Sequence, residues 1–175
     1  MRGRSGVVAA RCCEESAARA GAGPEPAPAE PRPCSYAPDL ADVRGQREAC
    51  WAMEVAAAGG HHILLHGAPG VGKSMLAERL PGLLPDLSIE EALEVSAVHS
   101  LAGHSLNEGL IRRPPYSSPH HNASMAAMVG GGARVARPGA ISLAHRGVLF
   151  LDEAPEFSVR VLDALRTPME TGKVT

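Results

Sequence analysis

The chain has 175 residues, a formal net charge of −2 and 45% hydrophobic residues, which is ordinary for one soluble α/β domain. Aromatics make up only 3%, one Trp, two Tyr and two Phe, so the core must be built from Ala, Val, Leu and Met, and aromatic base-stacking platforms are not expected. No stretch approaches the length of a transmembrane span, and Val7-Val8-Ala9-Ala10 is too short for the apolar region of a secretory signal, so a cytoplasmic location without a membrane partner is expected.

Residues 1 to about 35 are rich in Ala, Gly, Pro, Arg and Glu, and the run from Gly23 to Pro31 can neither form a helix nor pair as a central strand. A disordered tail or linker is expected there. A transit peptide is the alternative, favoured by Arg2, Arg4, Arg11 and Arg19 and opposed by Glu14 and Glu15. Cys12, Cys13, Cys34 and Cys50 contain no C-x-x-C pair, so free thiols are expected, with neither a disulfide framework nor a zinc site.

The texture changes at Asp39, where a folded domain spanning 36–175 is taken to begin. A helical pattern follows, with Ala49, Met53, Ala56 and Ala57 on one face and Gly59-Gly60 as its stop. His61 to Leu65 then reads as a short buried strand. Residues 67 to 74, Gly67-Ala68-Pro69-Gly70-Val71-Gly72-Lys73-Ser74, match G-x-x-x-x-G-K-[ST], the phosphate-binding P-loop. Met75, Leu76, Leu80, Leu83 and Leu84 recur after it at helical spacing, so strand, glycine loop and helix follow in the required order.

The chemistry demands these residue types. Glycines let the backbone curl so that successive N–H groups point at a phosphate chain. Lys73 is expected to reach the β- and γ-phosphates, and the Ser74 hydroxyl to bind a bridging Mg²⁺. The chain has 15 arginines but only two lysines, Lys73 and Lys173, so one of its few lysines stands where such a loop needs it.

Pro81 breaks the helix, and Ser88-Ile89-Glu90-Glu91 offers a capping box for another that carries Ala92, Leu93 and Ala97. Residues 104 to 147 read as a loop-rich insertion with at least one hairpin, in which Ala140 to Ala144 could be a strand. Val148-Leu149-Phe150-Leu151 is apolar at every position, as in a strand buried on both faces of a parallel sheet. It ends in Asp152-Glu153, at the strand end where ligands of open α/β sheets bind. Asp152 is expected to hold the Mg²⁺, and Glu153 to polarise the water that attacks the γ-phosphate, the two catalytic groups being Glu153 and Lys73. Ser158 can cap a last helix, which Pro168 ends.

With these residues in place, the stretch from about Ala37 to Thr175 resembles the magnesium-chelatase-like AAA+ family, and within it the ComM/YifB branch of bacterial ATPases. Asp39 to Gln46 is similar to that family's opening motif, Ala56 to His62 to its "AAAGGHH", Gly67 to Ser74 to its Walker A, and Gly147 to Glu153 to its Walker B. Pro119 to Ser124, Gly130 to Gly132 and Pro138 to His145 fall in the family's order too. Ser74, Pro155 and Met169 are small departures, and none touches the nucleotide chemistry.

The resemblance implies a P-loop NTPase core with a parallel sheet and helices on both faces. Its implied cofactors are ATP and Mg²⁺, the nucleotide being held by Gly67 to Met75. It also implies a homo-oligomeric ring, a hexamer, and a hairpin insertion whose Arg112, Arg113, Arg134 and Arg137 could meet DNA phosphates; charge and composition by themselves favour a solvated loop. Family members carry an N-terminal domain like that of Lon-type proteases and, beyond the position of Thr175, a sensor asparagine, an arginine finger and a helical lid. None of these is identifiable here, so the core is expected to be incomplete at its C-terminal side, and this chain to bind nucleotide while hydrolysing it inefficiently.

The function expected is the ATP-binding core of a motor that in complete form remodels DNA, as in branch migration during recombination or transformation. The alternatives are a chelatase-type motor for Mg²⁺ insertion into a porphyrin, and a nucleotide-binding module without turnover. His120-His121 lacks a third metal ligand at a convincing spacing, so a structural or nucleotide-proximal role is expected for it.

Overall fold

A computed structural model describes residues 5–10, 38–107, 109–131 and 137–171. Its centre is a four-stranded sheet in the order β2-β1-β6-β3, with β1 Ser5–Ala10, β2 Ile63–His66, β3 Tyr116–Ser117 and β6 Val148–Leu151. β3 runs parallel to β6, while β1 lies antiparallel to both β2 and β6, so those two point the same way. The sheet is therefore mixed, where a parallel one was expected. The odd strand comes from the stretch read as a tail: Ser5–Ala10 pairs on both sides, and the rest of residues 1 to 35 lies outside the described residues.

β6 divides the core. Its four residues are all buried, and their period-two alternation sends successive side chains to opposite faces. Val148 and Phe150 join Leu40, Met53, Ala57, Leu76 and Leu80 on one side, which belongs to α1 Arg47–Gly59, α2 Lys73–Ala77 and α3 Leu80–Leu83. Leu149 and Leu151 join Met128, Ile141, Ala144, Phe157, Val161 and Leu165 on the other, the side of α5 Met125–Val129, α6 Ala140–Leu143 and α7 Val159–Thr171. Fully burying one such side chain contributes about 1.5–3 kcal/mol, so Phe150, 1% exposed, is among the main anchors.

Several local readings hold. α1 buries Met53, Ala56 and Ala57 and stops at Gly60 in the left-handed region. The capping box of α4 Ile89–Leu101 is complete: the Ser88 hydroxyl accepts from the Glu91 N–H, and the Glu91 carboxylate accepts from the Ser88 N–H at 2.9 Å. The expected hairpin exists as β4 Gly130–Gly131 against β5 Arg137–Pro138.

Others do not. Ala140 to Ala144 is a helical turn, because its buried residues, Ile141 and Ala144, are three apart rather than two. A short apolar run carries too few positions to separate those periods. The helix after the glycine loop stops at Ala77, and Pro81 sits inside the first turn of α3, a position suited to its fixed φ. Pro168 lies within α7, near its end, and is buried; packing of the ring offsets the absent N–H. In β2 only Leu65 is buried and Leu64 is 62% exposed, since β2 is a sheet edge.

The approach of β3 to β6 is tight. A Cβ on Gly147 would stand 2.1 Å from the Pro115 carbonyl oxygen, the same oxygen that accepts from the Val148 N–H at 2.8 Å. Gly147→Ala should therefore lower the unfolding free energy by about 1–3 kcal/mol. Gly82→Ala in α3, where a Cβ would be 3.6 Å from the Pro38 carbonyl oxygen, should be neutral or raise it by up to about 1 kcal/mol. Urea unfolding followed by circular dichroism compares the two, and equal midpoints would contradict the close approach.

Candidate functional site

β2 runs directly into the glycine loop, which turns back into α2. Gly70 and Gly72 have φ of +80° and +88°, a conformation that side chains disfavour, and a Cβ on Gly72 would meet Met75 Cε at 3.1 Å and Gln46 Nε2 at 3.4 Å. The Lys73 ammonium donates to the carbonyl oxygens of Gly67 at 3.0 Å and Ala68 at 2.9 Å. An ammonium has three donors, so the lysine closes the loop and retains a hydrogen for an anion.

The second half of the site comes from the end of β6. Ser74 Oγ donates to Asp152 Oδ2 at 3.0 Å, across 78 positions of sequence. Asp152 Oδ1 accepts from the Glu153 N–H at 2.9 Å, which holds the carboxylate at both oxygens. Glu153 itself adopts φ +53°, and its side chain turns to His121, with Oε2 3.8 Å from Nδ1.

Pro69, Gly70, Gly72, Lys73, Ser74, Met75, Asp152 and Glu153 line one concavity of about 370 Å³. Of the other loop residues singled out from sequence, Gly67 and Ala68 supply the carbonyls that hold Lys73, and the Val71 carbonyl faces α1. A hydroxyl beside a carboxylate is a donor set for a hard divalent cation such as Mg²⁺, which needs few protein ligands when phosphates and water complete its shell. Among the described residues no cluster of three or more His, Cys, Asp or Glu could hold a metal ion, His120-His121 included.

Three residues gain roles that the sequence reading did not assign. Gln46, in the left-handed region at the start of α1, donates from Nε2 to the Val71 carbonyl oxygen at 2.5 Å, tying the glycine loop to the helix before it. Its place in the Asp39–Gln46 motif was the available signal. His121 stands beside Glu153. Arg146 makes ion pairs with Glu91 at 2.8 Å and Glu94 at 3.0 Å, bracing α4 against the turn before β6. The His145 hydrogen bond, with the Arg146 guanidinium, holds the Glu94 carboxyl below its ordinary value.

The basic residues considered for DNA do not share one element. Arg113 lines a cavity with Asp39, Glu78 and Asp86, Arg137 is in β5, and Arg134 lies outside the described residues. Tyr116 stacks on Phe150 with ring centroids 6.3 Å apart; burial and then the charges of Glu78 and Asp152 push its phenol up.

A family model described as magnesium chelatase, subunit ChlI, matches residues 39–175. An uncharacterized protein of Mycobacterium tuberculosis is 63% identical over 139 residues, covering 79% of this chain and 28% of the relative. The uncharacterized protein YifB of Escherichia coli is 55% identical over 151 residues, 86% of this chain and 29% of the relative. The competence protein ComM of Haemophilus influenzae is 53% identical over 136 residues, 78% of this chain and 26% of the relative. The chain thus spans a little over a quarter of the length of these relatives.

The Gln46 tether can be tested without a ligand. A neutral hydrogen bond contributes about 0.5–1.5 kcal/mol, so Gln46→Ala should speed hydrogen exchange of the Ala68, Gly70, Val71 and Gly72 amides by about two- to tenfold and leave α4 unchanged. Unaltered exchange in the loop would show that it holds its shape without Gln46.

Proposed function

The chain belongs to the magnesium chelatase ChlI family, on its ComM/YifB branch, and from that membership we propose that residues 39–175 form the P-loop nucleotide-binding core of an AAA+ ATPase. The observation that carries the reading is the 3.0 Å contact between Ser74 and Asp152, which joins the two motifs the sequence assigns to one phosphate. The glycine loop would hold the phosphates through its N–H groups, with Lys73 as the counter-charge. Ser74 would bind Mg²⁺ directly and Asp152 through water, and the ion would neutralise charge on the phosphates. Glu153 would take up and orient the attacking water.

The rest of the reading comes from the branch. In its complete form the protein would act in the cytoplasm as a homo-oligomeric ring, a hexamer, coupling hydrolysis to DNA remodelling such as branch migration, with the hairpin and Arg137 among the candidate contacts. The description of the matching family favours a second reading, a chelatase motor working on a porphyrin. Branch-migration and metal-insertion assays on the ring would separate the two. No helix among the described residues is long and apolar enough to cross a membrane.

Calorimetric titration with Mg-ATP should give saturable binding that Lys73→Ala weakens by at least about tenfold, the loss of one charge-assisted contact. Equal affinity in the two would remove the loop from the mechanism. Removing Mg²⁺ with a chelator should weaken binding in the parent and have less effect in Asp152→Asn. In the complete protein, Glu153→Gln should keep the affinity for nucleotide and lose about 10²-fold or more in turnover, and unchanged turnover would move the general base elsewhere.

A further inference from the structure

β2 and β6 point the same way and are not bonded to each other, because Ser5–Ala10 lies between them. β2 is the outer strand of the sheet, so among the described strands Ser5–Ala10 is its one neighbour. Two residues carry the junction: Val7 faces Leu64 and Leu151, and Val8 faces Ile63 and Phe150. At the end of this pairing Ser5 stands opposite His66, the residue before the glycine loop. The strand that ties the two halves of the site together in the plane of the sheet is therefore remote in sequence from both.

Without that strand, β2 and β6 would face each other across a gap about two strand spacings wide, ~9.6 Å. Neither reaches the other's backbone at that distance. Both would present rows of unpaired N–H and C=O groups, which are a template for an added strand. The apolar core does not close the gap. Leu65 of β2 and Val148 and Phe150 of β6 share one cluster with Met53, Leu76 and Leu80, which holds both strands against the helices of one face. Such packing is non-directional, whereas the directional bonds of a ladder fix the level of one strand against the next.

We infer that the space between β2 and β6 is a strand-accepting slot, that Ser5–Ala10 of the same chain fills it by backbone pairing, and that its filling holds the glycine loop in place beside the acidic end of β6. The partner it recognises is an extended segment without proline that runs antiparallel to both walls, the mode by which an added strand completes an open sheet. The entropic cost of closing a connection grows only slowly with its length, so the strand can be delivered across residues 11–37. Supplied as a separate peptide, the same strand should need about millimolar concentration to replace it. The inference stands on backbone pairing and needs no nucleotide.

The test follows hydrogen exchange, residue by residue, in the full chain for parent, Val8→Pro and Val8→Gly. Val8 is paired on both sides, so whichever strand its N–H faces, proline removes a ladder bond. Glycine keeps the N–H and only weakens the strand. Val8→Pro should speed exchange of the protected amides in β2 about tenfold or more and Val8→Gly about two- to fivefold, with α4 within about twofold of the parent. A peptide of residues 2–11, kept in solution by Arg2, Arg4 and Arg11, should restore most of the protection to Val8→Pro at about millimolar concentration. The same peptide carrying V8P should restore none. Should Val8→Pro unfold the whole chain, the glycine variant decides between local and global opening. The inference is overturned if β2 exchanges at the parent rate in both variants, if β2 and α4 accelerate together in Val8→Gly, or if the parent peptide restores nothing. Protection of β2 that rises with protein concentration in the parent would put a second copy's strand in the slot and overturn the assignment to the same chain.

Discussion

The hydrogen bond from Ser74 to Asp152 places a demand on almost everything else in the molecule. Two residues 78 apart in sequence must come within 3.0 Å, although the strands that lead to them are not neighbours. β1 lies between β2 and β6, so their axes are about two strand spacings, ~9.6 Å, apart, and both connecting segments must bend inward to meet. The register makes this possible. Val7 is opposite Leu64 on one side and Leu151 on the other, so those two residues stand level; β2 runs two residues further, to His66 opposite Ser5, and both loops leave from the same end of the sheet.

Keeping that level requires β6 to stay put, which explains the concentration of burial upon it. Each of its residues is an anchor for one of two helical layers, and the turn before it is fixed by the Arg146 pairs to α4. The Arg146 guanidinium is thereby engaged within its own chain. The Gly147–Pro115 approach fixes the other flank of β6 and sets where the His120-His121 segment emerges. The geometry around Glu153 is thus inherited from strand packing rather than built by the loops alone.

Legibility followed the range of the interactions involved. The glycine loop, the capping box at Ser88 and the buried run 148–151 were readable because each depends on a handful of consecutive residues: closely spaced glycines, an N-cap four residues wide, and an unbroken apolar strand. Ser5–Ala10 was not, because a strand in the body of a sheet is defined by its partners, and Val7-Val8-Ala9-Ala10 is too brief to declare itself beside a Pro- and Gly-rich stretch. Pro168 misled for a related reason. The helix penalty of a proline is local, while the burial that offsets it comes from the rest of the fold.

The sequence by itself determined the residue chemistry: which glycines can curl a loop, which lysine and serine stand at its end, and which two carboxylates follow the apolar strand. It also carried the family likeness, since that lies in ordered strings of residues. Tertiary structure alone decided the mixed sheet, the Gln46 tether, the Arg146 brace and the approach of His121 to Glu153. Each of these joins residues more than twenty positions apart, and no periodicity or spacing along a chain encodes a contact that exists only once the strands have been laid side by side.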